Sequence, residues 1–201
     1  MDEVLLGKVR VKKGFRSPRN PSEEVLSMVE NYIRENMGSY EETVANDFDV
    51  KDKKLAKYTF IDQYNQLAYD KSDSAATFYQ VAGVVLLYVK SKSLIYMRTA
   101  FNVRVTSGCG KMGDVFISSQ GEVNLTEVYY TKIQQVSSHS KQRDRETLGE
   151  GCGAKAVPYK EVEEGFMIRG ADELVVVADA GQKDELSALR KLINDRIAGN
   201  A

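Results

Sequence analysis

The stretch from Phe78 to Val136 holds most of the chain's long runs of β-forming residues, and it constrains the fold more than any other segment. Its clearest part is 94–105, where apolar and polar side chains alternate. Alternate side chains of a strand point to opposite faces, so the odd positions from Ile95 to Val105 would form an apolar face. Arg98, Asn102 and Arg104 would then line the opposite face. The pattern predicts a strand with one mainly apolar face and one polar face.

Shorter β-forming segments flank this strand and are separated from it by polar or glycine-containing turns. Strands are predicted at 84–90, 114–118 and 122–136, with a short helix at 74–82 before the first of them. Two more short strands are predicted at 166–169 and 173–178. Consecutive strands joined by short turns favour an antiparallel meander.

Three longer helices are predicted from apolar residues that recur every three or four positions. The first covers 21–37, with Asn20 as its N-cap and Gly38 at its end. The second covers 50–69, and the third covers 183–198 and ends at Gly199. The predicted fold class is therefore α+β, a mainly antiparallel sheet with helices packed on one face.

A chain of 201 residues suits one domain, and its composition is that of a globular protein. We divide it into a basic N-terminal strand and arm at 1–20 and a single α+β domain at 21–201. Residues 137–164 are polar and rich in glycine, and they predict a mobile loop. The sequence contains neither an apolar run long enough to span a bilayer nor an apolar segment after the basic N-terminus. A cytoplasmic protein without a membrane partner is expected.

Charge is distributed unevenly along the chain. The first twenty residues carry only two acids, Asp2 and Glu3, and their basic side chains are Lys8, Arg10, Lys12, Lys13, Arg16 and Arg19. Basic segments that contain glycine and proline are typical of arms that lie along nucleic-acid phosphates. Together with Arg98 and Arg104, the arm predicts a surface that contacts nucleic acid. The acidic segment 21–53 offers an alternative, in which the arm contacts a neighbouring copy of the chain.

Glu127 interrupts an otherwise apolar face of the predicted strand 122–136. A buried carboxylate must be paired, protonated or bound to a metal, and Asp114 lies on the strand before it. Two carboxylates on adjacent strands can hold Mg²⁺ for phosphodiester hydrolysis. The arrangement resembles the PD-(D/E)xK nucleases, although Tyr129 stands where that family has lysine. The resemblance implies a magnesium-dependent nuclease that uses Asp114 and Glu127.

The two cysteines share a local pattern, because Cys109 and Cys152 each lie between glycines and close to a lysine. Cysteines near a cation can have a lowered pKa and react as thiolates. They define a third hypothesis, a thiol-dependent protein. His139, the chain's single histidine, is interpreted as a solvated loop residue.

No set of acid, base and nucleophile is complete in the sequence. A binding or assembly protein without a cofactor, whose basic arm contacts nucleic acid or a neighbouring subunit, is therefore favoured over the two enzymatic alternatives. Only the nuclease alternative requires a metal, Mg²⁺.

Overall fold

The computed structural model describes residues 3–13, 17–18, 21–48, 50, 55–62, 67–69, 76–107, 112–148, 156–178 and 180–199. These residues form two helices, α1 (Ser22–Asp47) and α2 (Lys183–Ile197), and twelve strands. The strands are β1 (Val4–Arg10), β2 (Lys12–Lys13), β3 (Ser17–Pro18), β4 (Ala56–Asp62), β5 (Ala68–Tyr69), β6 (Ala76–Val89), β7 (Ser93–Ser107), β8 (Met112–Ser119), β9 (Asn124–Tyr129), β10 (Gln135–Leu148), β11 (Ala156–Arg169) and β12 (Glu173–Val177). Their pairing is antiparallel throughout, which confirms the predicted α+β class.

The largest sheet is built around β7. Its strand order is β1-β8-β7-β6-β4, with β5 beside β6 and β9 beside β7. One edge of β7 pairs with β6 over nearly its full length. The other edge pairs with β9 from Ser93 to Arg98 and with β8 from Phe101 to Ser107. Two different strands therefore share one edge of the central strand.

The first hydrophobic core lies between α1 and one face of this sheet. Val25, Val29 and Ile33 of α1 are fully buried against the odd positions of β7. Those positions are the apolar face predicted from the sequence, so that prediction is confirmed.

The second core lies on the opposite face, where a three-stranded sheet of β10, β11 and β12 packs together with α2. Val85 and Leu87 of β6 belong to this core, while Val84 and Leu86 belong to the first. This part of β6 is therefore buried on both faces. Burial on both faces explains its continuous apolar run, which has no period by which a strand could be distinguished from a helix. The helix predicted at 74–82 is wrong from residue 76 onward, where β6 begins.

Two further predictions of helical structure differ from what is observed. The helix predicted at 50–69 is wrong, because 56–62 form β4, in which Phe60 faces the second core and Ile61 the first. The first helix does not end at Gly38 but continues to Asp47. Val44 is fully buried beyond that glycine, and its packing offsets the roughly 1 kcal/mol that a glycine costs inside a helix.

The predicted strand at 122–136 is also divided. It ends with β9 at Tyr129, and a 3-10 turn at Tyr130–Lys132 redirects the chain into β10. The predicted loop near 137–164 is mostly a long hairpin, in which β10 pairs with β11 from Gln135 opposite Arg169 to Leu148 opposite Ala156. This hairpin lies across the large sheet, and Thr147 donates a 3.1 Å hydrogen bond to the carbonyl of Leu67.

Candidate nucleic-acid interface and a buried charged interface

Three of the predicted basic residues, Lys8, Arg10 and Arg104, lie on the face of the large sheet that α1 does not cover. Residues directly opposite each other on antiparallel strands share a face. One row of directly opposed residues crosses four strands. It runs from Tyr79 on β6 through Arg104 on β7 and Phe116 on β8 to Leu5 on β1. Lys8 and Arg10 follow on β1, opposite Asp114 and Met112, which completes the set. We define the basic outer face as Leu5, Lys8, Arg10, Arg104 and Phe116.

Arg104 occupies the centre of the basic outer face. Its Cζ lies 5.6 Å from the centroid of the Phe116 ring, at cation–π distance. Its Nη2 lies 2.6 Å from Oε2 of Glu3, and both side chains are more than a third exposed. Arg104 is thus held against an aromatic ring while remaining accessible to solvent.

Lys8 and Arg10 extend the positive charge along the edge strand β1. Lys8 Nζ lies 3.7 Å from Oδ1 of Asp114, and its side chain is 66% exposed. Exposed ion pairs contribute about 0–1 kcal/mol, so Asp114 and Glu3 can give way to another anion at little cost. The basic outer face therefore presents three cations that a polyanion could reach.

The remaining predicted basic residues do not all join this face. Arg16 and Arg19 lie outside the described residues, and only the backbone of Lys12 and Lys13 in β2 is described. Arg98 points from the same face of β7, but it lies six residues, about 20 Å, from Arg104. It is covered by the β10–β11 hairpin and contacts a carboxylate of that hairpin.

Arg98 belongs to a charged interface between the hairpin and the large sheet. Glu163 Oε1 lies 4.0 Å from Nη2 of Arg98, and Glu163 Oε2 lies 3.6 Å from Nη2 of Arg143. The neighbouring Glu161 accepts hydrogen bonds of 3.2 Å from Nε of Arg145 and 3.1 Å from the hydroxyl of Tyr159. Both glutamate residues are buried. Buried carboxylates require such partners. The contact of Arg98 with Glu163 joins the large sheet to the hairpin, whereas the other contacts lie within the hairpin.

Asp62 completes this interface from the edge strand β4. It is buried, and its carboxylate lies against Gly83 of β6. Burial raises the pKa of Asp62 to about 6, with Glu163 and Glu161 raising it further and Arg98 and Arg143 opposing the rise. Asp62 therefore carries its proton at a higher pH than an exposed aspartate.

His139 also lies at the charged interface, so its interpretation as a solvated loop residue is wrong. It is on β10, its side chain is 18% exposed, and its Nε2 lies 3.9 Å from Oε1 of Glu163. Nothing in the sequence around His139 indicates burial, because the residues that cover it come from other strands.

Asp114 and Glu127 do not form the metal site that the nuclease hypothesis requires. Asp114 pairs with Thr106 and Glu127 pairs with Ile95, at opposite ends of β7. Eleven residues separate these partners, about 36 Å of extended strand. The two carboxylates cannot bridge one ion.

Glu127 has a different set of partners. Its Oε1 accepts a 2.6 Å hydrogen bond from the hydroxyl of Ser93 and one of 3.0 Å from Nζ of Lys90. Lys90 and Ser93 bracket the turn between β6 and β7, so Glu127 joins that turn to β9. Its carboxylate is paired, as the sequence argument for a partly buried acid requires.

The other candidate chemistry has less structural support. Cys109 and Cys152 lie outside the described residues, so the thiol hypothesis stays a prediction. Within the described ranges, no group of three or more histidine, cysteine, aspartate and glutamate side chains is placed to hold a metal ion.

The sequence analysis did not identify Glu161 and Glu163. Their spacing of two residues within a polar segment could have indicated a strand with both carboxylates on one face. Arg143 and Arg145 stand two positions apart on β10, as the two glutamates do on β11, and Arg143 lies opposite Glu161. Alternation of charged residues indicates a strand as alternation of apolar residues does, provided that the opposite charges meet across the pair.

Comparisons of the chain with protein-family models, with curated protein sequences and with solved structures find no match. In the part of the chain that the structure describes, neither helix combines the length and apolar character needed to cross a bilayer.

Proposed function

We propose that the protein binds single-stranded nucleic acid through the basic outer face, with the phosphates on Lys8, Arg10 and Arg104. The observation that carries the proposal is the position of Arg104 between Tyr79 and Phe116, on the face of the sheet that α1 does not cover. Proteins that bind single strands combine cations that follow the backbone with aromatic rings on which bases stack. The basic outer face offers both kinds of group within one row of strands.

A single strand suits this surface better than a duplex. Aromatic side chains on a sheet bind bases that are already unstacked, whereas the bases of a duplex are stacked on each other. The arm that follows β1 contributes Lys12, Lys13, Arg16 and Arg19 in sequence and would add to the affinity. RNA and DNA share the phosphates and the base faces on which the proposal depends, so both belong in the test.

The proposal is tested by the salt dependence of binding. Fluorescence anisotropy with labelled poly-U and poly-dT oligonucleotides should give affinities that fall steeply between 50 and 200 mM salt, concentrations at which phosphate contacts differ strongly. The triple variant Lys8→Ala, Arg10→Ala, Arg104→Ala should bind both more weakly and with a smaller salt slope. A charge-matched control replaces the exposed Lys132, Lys160 and Lys191, which lie elsewhere on the surface. Equal losses in the two triple variants would contradict the proposal.

A second candidate function, assembly with another copy of the chain, is favoured by the edge of the sheet. β1 is an edge strand, and its Val4 and Leu5 are 41% and 55% exposed. Exposed apolar edge strands tend to pair with another chain. Analytical ultracentrifugation should then show a concentration-dependent dimer that Leu5→Lys abolishes. A monomer at every concentration would exclude assembly through β1.

A further inference from the structure

A cavity of about 210 Å³ lies between α1 and the end of the sheet where β7, β8 and β1 meet. Tyr32, Asn36 and Tyr40 line it from α1, and Phe101 lines it from β7. The three helix residues are spaced four apart, so they form one stripe along the helix. The cavity therefore lies between one stripe of α1 and the sheet on which α1 packs.

Aromatic rings form much of its wall. The Phe101 ring is buried, and the Tyr32 and Tyr40 rings meet it edge-to-face, with centroids 6.5 Å and 6.3 Å away. Both tyrosine side chains are partly exposed, whereas Phe101 is fixed in the first core. A planar ligand can contact these rings without any rearrangement of the core.

The polar groups of the cavity are neutral. Nδ2 of Asn36 donates a 2.8 Å hydrogen bond to the carbonyl of Tyr32, which fixes the amide and leaves its Oδ1 as an acceptor. Ser39 of α1 and Ser119 of β8 add hydroxyl groups at the rim. None of the nine lining residues carries a charge. A cation would lack a counter-ion here, and so would a phosphate.

The size of the cavity also limits its ligand. Sites for drug-sized molecules measure about 300–1,000 Å³, so this one suits a single small ring system. Aromatic walls with neutral donors and acceptors at the rim are the chemistry by which proteins bind an unstacked base, through stacking and through its polar edge.

We propose that this cavity binds one nucleobase. It lies on the opposite side of the sheet from the basic outer face. Val4 and Ile117 line the cavity, whereas their chain neighbours Leu5 and Phe116 belong to the basic outer face. A single strand held by Arg104 could place one base around the end of β1 into the cavity. This last step rests on the proposed function, whereas the cavity itself is tested with nucleosides, which have no phosphate.

The experiment is isothermal titration calorimetry of the full chain with adenosine, guanosine, cytidine and uridine, each separately, at low and high salt. At least one nucleoside should bind with a stoichiometry of one and with an affinity that salt leaves unchanged. Ser39→Trp, which fills the cavity from its exposed rim, should abolish binding. Asn36→Ala should weaken it by about tenfold, the loss expected for one hydrogen bond.

Two controls separate this inference from the proposed function. Glu35→Ala changes an exposed position on α1 that does not line the cavity, and Arg104→Ala changes the basic outer face; both should leave nucleoside binding unchanged. Glucose and choline serve as probes for sugars and for cations. Failure of every nucleoside to bind, binding of choline or glucose instead, or equal nucleoside binding by folded Ser39→Trp protein would overturn the inference. Salt-dependent oligonucleotide binding, measured separately, would stand in any of these cases.

Discussion

The hydroxyl of Ser93 donates a 2.6 Å hydrogen bond to Oε1 of Glu127, and Nζ of Lys90 lies 3.0 Å from the same oxygen. Lys90 also contacts the carbonyl of Phe48, just beyond the end of α1. The carboxylate therefore joins the β6–β7 turn to β9, and Lys90 connects the same turn to the end of α1. These contacts explain why a carboxylate interrupts the apolar pattern at position 127.

Replacing Glu127 by glutamine should destabilise the protein at neutral pH. Burial raises the pKa of Glu127, but hydrogen bonds from Ser93 and Lys90 and the charge of Lys90 outweigh it and hold the pKa below its ordinary value. The ionised group therefore contributes stability above its unfolded pKa, and this contribution is lost as the pH falls through its folded pKa. We expect a loss of about 1–2 kcal/mol at pH 7 for Glu127→Gln, measured by urea unfolding. The difference from wild type should shrink at pH 3, and the exposed control Glu122→Gln should have little effect.

Asp62 should show the opposite pH dependence. Its pKa is raised to about 6, chiefly by burial and then by Glu163, so the fold favours the protonated form. The stability that this proton provides is complete below the unfolded pKa and is lost as the pH rises through 6. Asp62→Asn, which cannot ionise, should therefore stabilise the protein at pH 8 by about 1–3 kcal/mol, a range that allows for the lost attraction of Arg98 and Arg143.

The measurement for Asp62→Asn is the free energy of unfolding at pH 4 and pH 8. The gain over wild type should be present at pH 8 and nearly absent at pH 4. Asp172→Asn, at an exposed turn, is the matched control and should change stability little at either pH. A variant that is less stable than wild type at pH 8 would mean that the arginine residues, and not burial, dominate at this site.

Prediction from sequence succeeded where a segment has one buried face. The alternation in β7 from Phe101 to Val105 and the helical stripe of α2 each mark one buried and one solvent-facing side. Gly199, with a φ of 72°, ends α2 as expected. Prediction failed for 56–62, where Phe60 faces the second core and Ile61 the first, because a segment buried on both faces has no polar side to set a period. It also failed for the β10–β11 hairpin, whose docking face is charged.

For the candidate sites, too, the outcome depended on information that a local sequence pattern does not contain. Lys8, Arg10 and Arg104 meet because β1 and β7 flank β8, a pairing that no local pattern encodes. Asp114 and Glu127 looked adjacent because their strands follow each other in sequence, but β9 pairs with β7 instead of β8. Sequence spacing predicts which face of a strand a residue occupies, whereas its neighbours depend on the strand order.

Phe116 offers a direct test of base stacking on the basic outer face. Phe116→Ala should weaken oligonucleotide binding by about 1–3 kcal/mol, the value of one stacked base, with an unchanged salt slope. Arg104→Gln should instead lower the salt slope by about one, because it removes one phosphate contact. Anisotropy titrations at several salt concentrations distinguish the two effects. The control is Tyr129→Ala on β9, an aromatic residue that is 54% exposed and lies outside the basic outer face. Binding by Phe116→Ala at wild-type affinity would remove stacking from the proposal.

Two glycine residues give a matched pair of predictions for stability. A Cβ on Gly165 would collide with the backbone carbonyl of Val176 on β12, which cannot move without breaking the pairing of β11 with β12. This glycine also lies where the buried face of β11 changes, from Glu161 and Glu163 before it to Phe166 after it. Gly165→Ala should therefore cost at least about 1–3 kcal/mol, the range for overpacking.

Gly38→Ala should have the opposite effect. A Cβ on Gly38 meets nothing within 4 Å, and the position lies inside α1, so alanine should stabilise the protein by about 0.5–1 kcal/mol. Urea unfolding of the two variants, measured side by side, tests whether the same glycine-to-alanine change lowers the free energy of unfolding at position 165 and raises it at position 38. If Gly165→Ala proved neutral, β11 and β12 would have to pack less closely at this point than the structure has them. If Gly38→Ala proved destabilising, α1 would have to end near Gly38, as the sequence pattern predicts, and the burial of Val44 would not hold the helix together beyond it.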